Sequence, residues 1–556
     1  MLQPINYPGA RRPDRRRDVD VHGLRLAVWE WGDEKAPPLL LAHGGFDFAG
    51  TMDGFAPLLA DEGWRVVSWD QRGHGDSEHA VLYNWDVDVR DALYVLDSTT
   101  RQPVPFVGHS KGGSILMQLA DAMPHRCSHL VNLDGLPSRR AWPDVADHER
   151  ARLVTSEVTA WLEHRQKAST KVRRPGTIDE LAERRQRMNP RLPIEWLRYL
   201  VPIGARQDGD GWRWKIDPAM RFGGFGPWRP EWSMMRMPGL AVPVLGVLGL
   251  EVEAMGWGTR SEDVLPWLPA GARFEALDGV GHFVHIEQPD KVAGLVLDFL
   301  GRPPSSPPGG WGEGAIAARP APPARPAAGA GDGRTTFLTH NRSRLALHRL
   351  RAGDVETARP LLLLHGLGEH TPARAPTATE NWPGPVYGLD FTGHGLSTMP
   401  AGGGYSAEVL LGDADTAVRH LAGEGHAEVT VLGRGLGAYV ALLLSGARPD
   451  AVRGAILTDG PGMIARSTGP GSPIVPTVDH LAVAPPDPFA LAELARDIRS
   501  PDYAAIFARM ALLSSPLQHP IAVCSVNRPE WCAAVVDEPG VLDVSVAEAI
   551  TADAFA

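Results

Sequence analysis

Ser110 lies in a short glycine-bounded motif whose residue types suit nucleophilic catalysis. The motif, G-H-S-K-G at residues 108–112, follows an apolar run over 104–107 and precedes a segment with helical character. Glycines here permit the cramped strand-to-helix turn that lifts a serine oxygen above a sheet edge, at a helix N-terminus whose amides favour developing negative charge. The pattern predicts Ser110 as a nucleophile.

His282 is the candidate general base. A serine hydroxyl is a poor nucleophile at neutral pH, so a base within hydrogen-bond reach must take its proton, and a third group must orient that base. His282 follows a strand-like segment over residues 273–277 and precedes an amphipathic helix. For the neighbouring His285 we expect a packing or hydrogen-bonding role.

The elements that would position these residues occur twice along the chain. PPLLLAHGG, WRVVSWDQRGHGDS and VPFVGHSKGG return in the same order as PLLLLHGLG, GPVYGLDFTGHGLS and VTVLGRGLGA. The separation along the sequence between His43 and His365 is nearly the same as that between Ser110 and Gly435. Short apolar runs that alternate with helical segments predict a mostly parallel sheet flanked by helices. We therefore expect one α/β architecture in both halves.

The first half resembles the α/β-hydrolase superfamily over nearly all of residues 20 to 300. The resemblance rests on H-G-G at 43–45, D-Q-R-G-H-G-D-S at 70–77, G-H-S-K-G-G at 108–113 and G-H-F-V-H-I-E-Q-P at 281–289. These motifs are specific for the fold and for no single substrate. The resemblance implies an oxyanion hole formed by the backbone amides of Lys111 and Gly45, with Phe46 as the alternative to Gly45.

The resemblance leaves the triad acid open. Residues 242–249, VPVLGVLG, are similar to the family strand whose following loop carries the acid, yet Glu251 and Glu253 stand there in place of Asp. Some relatives place the acid one strand earlier, where Asp134 occurs in LVNLDGLPS. Asp-Gly is also an ordinary turn pair. Asp134 and the pair Glu251/Glu253 therefore remain alternative candidates.

The second half resembles a degenerate copy of the first. Its elbow has Gly435 where the nucleophile should stand, so no side chain is there to attack a substrate. After the strand-like HPIAVCSV no histidine follows, so the expected base is missing as well. We expect this half to be non-catalytic.

These observations divide the chain into two domains. We expect a catalytic α/β-hydrolase domain over 20–301, a Pro/Ala/Gly-rich linker over 302–334 and a degenerate α/β-hydrolase-like domain over 335–556. The residues from about 138 to 240 do not fit the strand and helix series. Similar enzymes insert a helical cap at this point. Its many tryptophans and arginines predict either an apolar, aromatic-walled entrance or a small core of the cap itself.

Composition excludes several other functions. No apolar run reaches the roughly 20 residues of a membrane helix, and the net charge of -11 includes no basic stripe that would indicate nucleic acid. Cys127, Cys524 and Cys532 lack metal-ligand spacing and indicate a reducing compartment. We expect a cytoplasmic protein that needs neither metal nor organic cofactor; the sequence does not disclose its oligomeric state.

The predicted function is that of a serine hydrolase working through an acyl-serine intermediate. The expected substrate is an ester or related acyl or carbonyl small molecule, apolar or aromatic in character. Carbon-carbon bond hydrolases, lactonases and haloperoxidase-like relatives share these motifs, so they remain alternatives. A non-catalytic ligand-binding receptor or regulator is the alternative from another class.

Overall fold

A computed structural model describes most of the chain. The described residues are 5–137, 147–168, 170–220, 230–256, 258–307, 310–311, 334–353, 358–465, 478 and 484–551. Most of the predicted linker, 302–334, lies outside them, as do 138–146 and 221–229 of the predicted cap. Among the helices described, none combines the length and apolar character needed to span a membrane.

The apolar runs of the first half form an eight-stranded sheet. Its strands are β1 (Arg15–Val21), β2 (Leu24–Trp31), β3 (Pro38–Ala42), β4 (Arg65–Trp69), β5 (Val104–His109), β6 (Cys127–Leu133), β9 (Val244–Gly249) and β10 (Arg273–Leu277), while β7 (Ala205–Asp208) and β8 (Gly211–Trp214) form a separate hairpin. The order across the sheet is β1-β2-β4-β3-β5-β6-β9-β10. Strand β2 runs antiparallel to both of its neighbours, β1 and β4. The six strands that follow β2 in this order, from β4 to β10, are mutually parallel.

Helices cover both faces of this sheet. Strands β3, β4 and β5 are buried along their whole length, which explains why they read as continuous apolar runs rather than as alternating patterns. The helices of the first half outside the region between β6 and β9 are α1 (Ala56–Asp61), α2 (Trp85–Thr99), α3 (Lys111–Ala122), α8 (Ser261–Val264), α9 (Val284–Glu287) and α10 (Pro289–Leu300).

A long insertion separates β6 from β9, although these two strands are neighbours in the sheet. It contains α4 (Asp147–Ala168), α5 (Ile178–Met188), α6 (Ile194–Gly204), the β7-β8 hairpin and α7 (Pro230–Arg236). We call the described residues between β6 and β9 the inserted segment. It coincides with the region that does not fit the strand and helix series.

The second half repeats the sheet. Its strands are β11 (Thr335–His340), β12 (Ser343–Arg351), β13 (Leu361–Leu364), β14 (Val386–Asp390), β15 (Val429–Arg434), β16 (Val452–Thr458), β17 (Ile521–Val523) and β18 (Leu542–Asp543). Their order, β11-β12-β14-β13-β15-β16-β17-β18, matches that of the first half strand for strand. The helices are α11 (Ala407–Gly423), α12 (Leu436–Ala447), α13 (Pro488–Leu494), α14 (Pro501–Ser514), α15 (Glu530–Val536) and α16 (Val546–Thr551).

The predicted fold class is therefore confirmed. Both halves contain a mostly parallel sheet flanked by helices, because each βα unit buries an apolar strand beneath an amphipathic helix. Ser110 lies between β5 and α3, and Gly435 lies at the equivalent point between β15 and α12. Both positions are at the carboxyl ends of central strands, where open α/β sheets bind ligands.

Candidate active site

Ser110 adopts a strained backbone conformation between β5 and α3. Its φ is 51° and its ψ is -121°, outside the regions that L-residues normally occupy. Such a conformation costs on the order of 1–3 kcal/mol and persists only where surrounding structure enforces it. Close approach of the backbone supplies that enforcement, because a Cβ at Gly112 would lie 2.5 Å from the carbonyl oxygens of Ala42 and His43. The glycine motif therefore has the physical role expected from the sequence.

Asp134 and His282 meet at the carboxyl end of the sheet. Asp134 follows β6 directly, and its Oδ2 lies 2.6 Å from Nδ1 of His282. Its other oxygen, Oδ1, accepts a hydrogen bond of 3.0 Å from the amide of Gly249, at the end of β9. A carboxylate can only accept, so Nδ1 of His282 carries the proton and Nε2 is left as an acceptor. Both side chains are buried.

The two glutamate candidates occupy different positions. Glu251 is exposed, whereas Glu253 is buried and its Oε2 accepts a hydrogen bond of 2.7 Å from the backbone amide of His282. Burial raises the pKa of Glu253. Glu253 thus contacts the main chain of His282, while Asp134 contacts its ring.

Glu287 is a further carboxylate that holds the loop carrying His282. The sequence patterns did not single it out, although it lies within the motif at residues 281–289. Glu287 Oε1 accepts a hydrogen bond of 3.0 Å from the amide of Gly281. Its Oε2 is 2.8 Å from Nε of Arg191, which belongs to the inserted segment. Because this contact depends on how the loop folds, the only indication of it in the sequence is the position of Glu287 within the G-H-F-V-H-I-E motif.

Two other histidines beside the site are buried and neutral. The ring of His109 lies 4.8 Å from that of His282 and 4.4 Å from that of His285, measured between centroids. Burial lowers the pKa of His109 to about 3 and places the pKa of His285 well below its usual value. His109 Nε2 lies 2.9 Å from the carbonyl oxygen of His282 and donates to it. The pair packs beneath the histidine loop, which agrees with the packing role expected for His285.

The turn after β3 carries the oxyanion-hole candidates Gly45 and Phe46. Phe46 has a φ of 61°, and its amide donates to Nε2 of His74 over 3.1 Å. That amide is therefore committed to the turn itself. The third candidate, Lys111, begins α3, and its ammonium forms an ion pair of 2.8 Å with Asp88, away from the backbone function expected of it.

In the second half, the two equivalent backbone amides bind a carbonyl oxygen. Leu436 and Leu367 occupy the positions equivalent to Lys111 and Gly45, and both of their amides donate to the carbonyl oxygen of Pro461, over 3.0 and 2.9 Å. One oxygen is thus bound by both amides. The elbow conformation is also retained, because Gly435 has φ 58° and ψ -113°.

The inserted segment contacts the site from two sides. Arg185 of α5 forms an ion pair with Asp47 in the turn after β3, and its guanidinium lies 5.6 Å from the Trp214 ring centroid. Trp196 is buried in an apolar cluster that also includes Phe48 and Phe283, so it belongs to the packing between segment and site rather than to an open wall.

Comparisons with known proteins bear on the family of the chain. A family described as the alpha/beta hydrolase fold matches residues 37–232, and a family described as serine aminopeptidase, S33 matches 356–478. A serine hydrolase-like protein of Danio rerio is 24% identical over 49% of this chain and 83% of its own length, and Esterase YbfF of Escherichia coli is 26% identical over 47% and 92%. A serine hydrolase-like protein of Dictyostelium discoideum is 34% identical, but the match spans only 34% of its length and 21% of this chain.

Among solved structures, the thioesterase domain from the curacin biosynthetic pathway is 22% identical and aligns over 51% of this chain and 99% of its own, with a TM-score of 0.45. The two family matches fall on the two halves of the chain. Each match lies on one of the two repeated sheets. The chain belongs to the α/β-hydrolase superfamily.

Proposed function

We propose that this protein is a serine hydrolase that cleaves an ester or a related acyl compound at a site in its first half. The observation that carries the proposal is the contact of 2.6 Å between Asp134 and His282, close to the elbow that holds Ser110. Relatives named esterase and serine hydrolase support the reaction class.

The proposed reaction has two stages. His282 Nε2 takes the proton of Ser110 as its oxygen attacks the substrate carbonyl, and Asp134 keeps His282 in the required tautomer and stabilises the imidazolium that forms. The leaving alcohol takes this proton and departs, which leaves an acyl-serine. A water molecule, deprotonated by the same histidine, then hydrolyses the acyl-serine and regenerates Ser110.

We assign the oxyanion hole to the amides of Gly45 and Lys111 rather than to Phe46. The assignment is supported by the equivalent amides of the second half, which converge on a single carbonyl oxygen at hydrogen-bond distance. It is also supported by the bond between the Phe46 amide and His74. Two donors directed at the developing oxyanion contribute several kcal/mol to catalysis, at about 2.7–4 kcal/mol for one donor.

We also propose that the second half is non-catalytic. A Cβ at Gly435 would lie 2.2 Å from the oxygen of Pro461, so the backbone around the lost nucleophile has closed over its place. That same oxygen occupies the equivalent oxyanion hole. Asp459, at the position matching Asp134, accepts from the amides of Val526 and Asn527 instead of from a histidine.

The domain limits follow as part of the proposal: a catalytic domain over 20–301 with a cap over about 138–240, and a degenerate domain over 335–556. Contact of the inserted segment with the turn after β3 and with the histidine loop supports its role as a cap.

The direct test is hydrolysis of short and medium-chain p-nitrophenyl esters by the wild type, Ser110→Ala and His282→Ala, with a fluorophosphonate probe for covalent labelling. We expect turnover by the wild type, loss of both turnover and labelling in Ser110→Ala, and loss of turnover in His282→Ala. Ser156→Ala, which removes an exposed serine hydroxyl on α4, is the matched control and should retain both turnover and labelling. A folded wild type that is neither labelled nor active on any ester would refute the proposal.

A further inference from the structure

The inserted segment of the first half is held by the second half. Helix α4 places Val158, Trp161 and Leu162 in the same apolar cluster as the helices α11, α12 and α14. On its polar side Glu163 forms ion pairs with Arg419 and, over 3.0 Å, with Arg448. The helix therefore packs as part of the second half's core.

A buried chain of polar groups joins the same helix to β11. Arg165 Nε donates to Nε2 of His340 over 3.0 Å, and His340 Nδ1 lies 2.6 Å from Asp413. Asp413 also accepts from the amide of Thr392 over 2.8 Å. Because Nε2 accepts, His340 is neutral and donates through Nδ1.

In the second half, these hydrogen-bonded groups replace an ion pair that the first half retains. There Arg72 forms a bidentate pair with Asp91, at 2.7 and 2.8 Å. In the second half the aspartate persists as Asp413, but Thr392 stands in the place of the arginine. The guanidinium comes instead from Arg165 on the inserted segment, which reaches Asp413 through the ring of His340. Part of the charge balance of the second half thus depends on the first.

A second link joins the two halves close to the site. Arg342, in the turn between β11 and β12, forms a bidentate pair with Asp217 of the inserted segment, at 2.5 and 2.7 Å. Tyr83 also donates to Asp217. The carboxylate has no exposed surface. Although burial acts in the opposite direction, these hydrogen bonds lower the pKa of Asp217, so it is ionised and needs its partners.

Asp217 leads directly to the oxyanion turn. Its amide donates to the carbonyl oxygen of Gly73 over 2.8 Å. Gly73 is followed by His74, whose Nε2 accepts a hydrogen bond from the amide of Phe46. The other ring nitrogen of His74, Nδ1, donates to the carbonyl oxygen of Arg72 over 3.0 Å. Phe46 is adjacent to Gly45. Three hydrogen-bonded steps therefore connect Arg342 with the loop that carries an oxyanion donor.

We propose that the second half anchors the inserted segment over the site, and that Arg342, through Asp217, is a positioning residue for the reaction at Ser110. The proposal rests on the proposed hydrolase function. It gives the degenerate half a role that needs no nucleophile: it supplies a fixed cation to a buried carboxylate of the other half. Arg342 itself contacts no substrate.

The physical argument is the instability of a buried, unpaired charge. If the guanidinium is removed, Asp217 keeps hydrogen bonds from Tyr83 and from the amide of Ala219 but loses its cation. We expect it then to take up a proton or to move toward water, because breaking a buried ion pair by removing one partner is strongly destabilising. Either response weakens the support of Gly73 and of the turn that holds His74. Since the oxyanion hole acts only as charge develops on the carbonyl oxygen, a loosened turn should lower kcat more than it raises KM.

The test compares Arg342→Gln and Arg342→Lys with the wild type on p-nitrophenyl esters. We expect kcat to fall about 10-fold in Arg342→Gln, within the range of coupling through a hydrogen-bonded network, while KM changes less. Arg342→Lys should recover part of the loss, because it restores the charge but not the bidentate geometry. The matched control is Arg453→Gln, which removes an ion pair with Glu428 inside the second half and should leave kcat unchanged.

Asp217→Asn closes a double-variant cycle. The effects of Arg342→Gln and Asp217→Asn on kcat should not add, because each removes the same ion pair. Additive losses, or an unchanged kcat in folded Arg342→Gln, would overturn the proposal. Hydrogen exchange of peptides covering 205–220 and 70–77 gives a readout without substrate: exchange should rise in Arg342→Gln and not in Arg453→Gln. If the wild type cleaves no ester, the exchange result still decides the anchoring role, so failure of the hydrolase proposal is distinguishable.

Discussion

Replacing Asp134 by Asn should reverse the tautomer of His282. The two oxygens of Asp134 have different partners: Oδ1 accepts from the Gly249 amide and Oδ2 faces the His282 ring. In Asp134→Asn the amide oxygen must face Gly249, because an amide NH₂ cannot accept, so the NH₂ group faces His282 Nδ1. Nδ1 then becomes the acceptor and Nε2 carries the proton, which leaves no base for Ser110.

The size of the loss follows from this reversal. In a triad of this type the Asp-to-Asn change lowers kcat about 10⁴-fold by selecting the wrong tautomer, which corresponds to about 5 kcal/mol of transition-state stabilisation. By contrast, Glu253→Gln keeps an oxygen that can accept from the His282 amide. Only the extra strength due to the charge is lost, about 1 kcal/mol, so we expect kcat to fall about 10-fold or less. Steady-state hydrolysis of a p-nitrophenyl ester, with thermal unfolding as a check on folding, measures both variants.

The outcome discriminates between the candidate acids. Glu251→Gln is the exposed control and should behave as the wild type. If Asp134→Asn keeps activity within about 10-fold of the wild type while Glu253→Gln loses several orders of magnitude, the reasoning from the Asp134–His282 contact is wrong. Equal and large losses in both, with unchanged thermal stability, would also contradict it.

The remaining predictions concern the second elbow and pH. Gly435→Ser in a Ser110→Ala background should restore no ester hydrolysis and should lower the melting temperature, because the new Cβ meets the Pro461 oxygen at 2.2 Å; hydrolysis by this variant would contradict a closed site. Although burial acts in the opposite direction, hydrogen bonds from Arg65 and Arg17 lower the pKa of Glu30 from 4.5 to about 2. The stability contributed by ionised Glu30 should therefore be complete above about pH 4.5 and lost as pH falls toward 2. Urea unfolding of the wild type and Glu30→Gln should show a gap in unfolding free energy at pH 7 that shrinks at pH 3, and a constant gap would refute the assignment.

Much of this architecture was predictable because it depends on local patterns. Continuous apolar runs followed by helical segments imply buried parallel strands, and their repetition implied a second sheet; both are confirmed. The strained turn at Ser110 was also readable, since only glycines at 108 and 112 allow the backbone to approach so closely. Each of these features leaves its mark within one short stretch of residues, so the sequence alone is enough to indicate it.

Other features depend on residues that are distant in sequence, and only the tertiary structure decided them. Asp134 and Glu253 were equivalent candidates in the sequence; the parallel pairing of β6 with β9 directs one to the His282 ring and the other to its backbone amide. The link from Arg342 to Asp217 joins positions in different halves, so no local pattern could indicate it. Hydrogen bonds and ion pairs require atoms to meet within about 3 Å, and that condition is set by how the elements pack rather than by their own sequences.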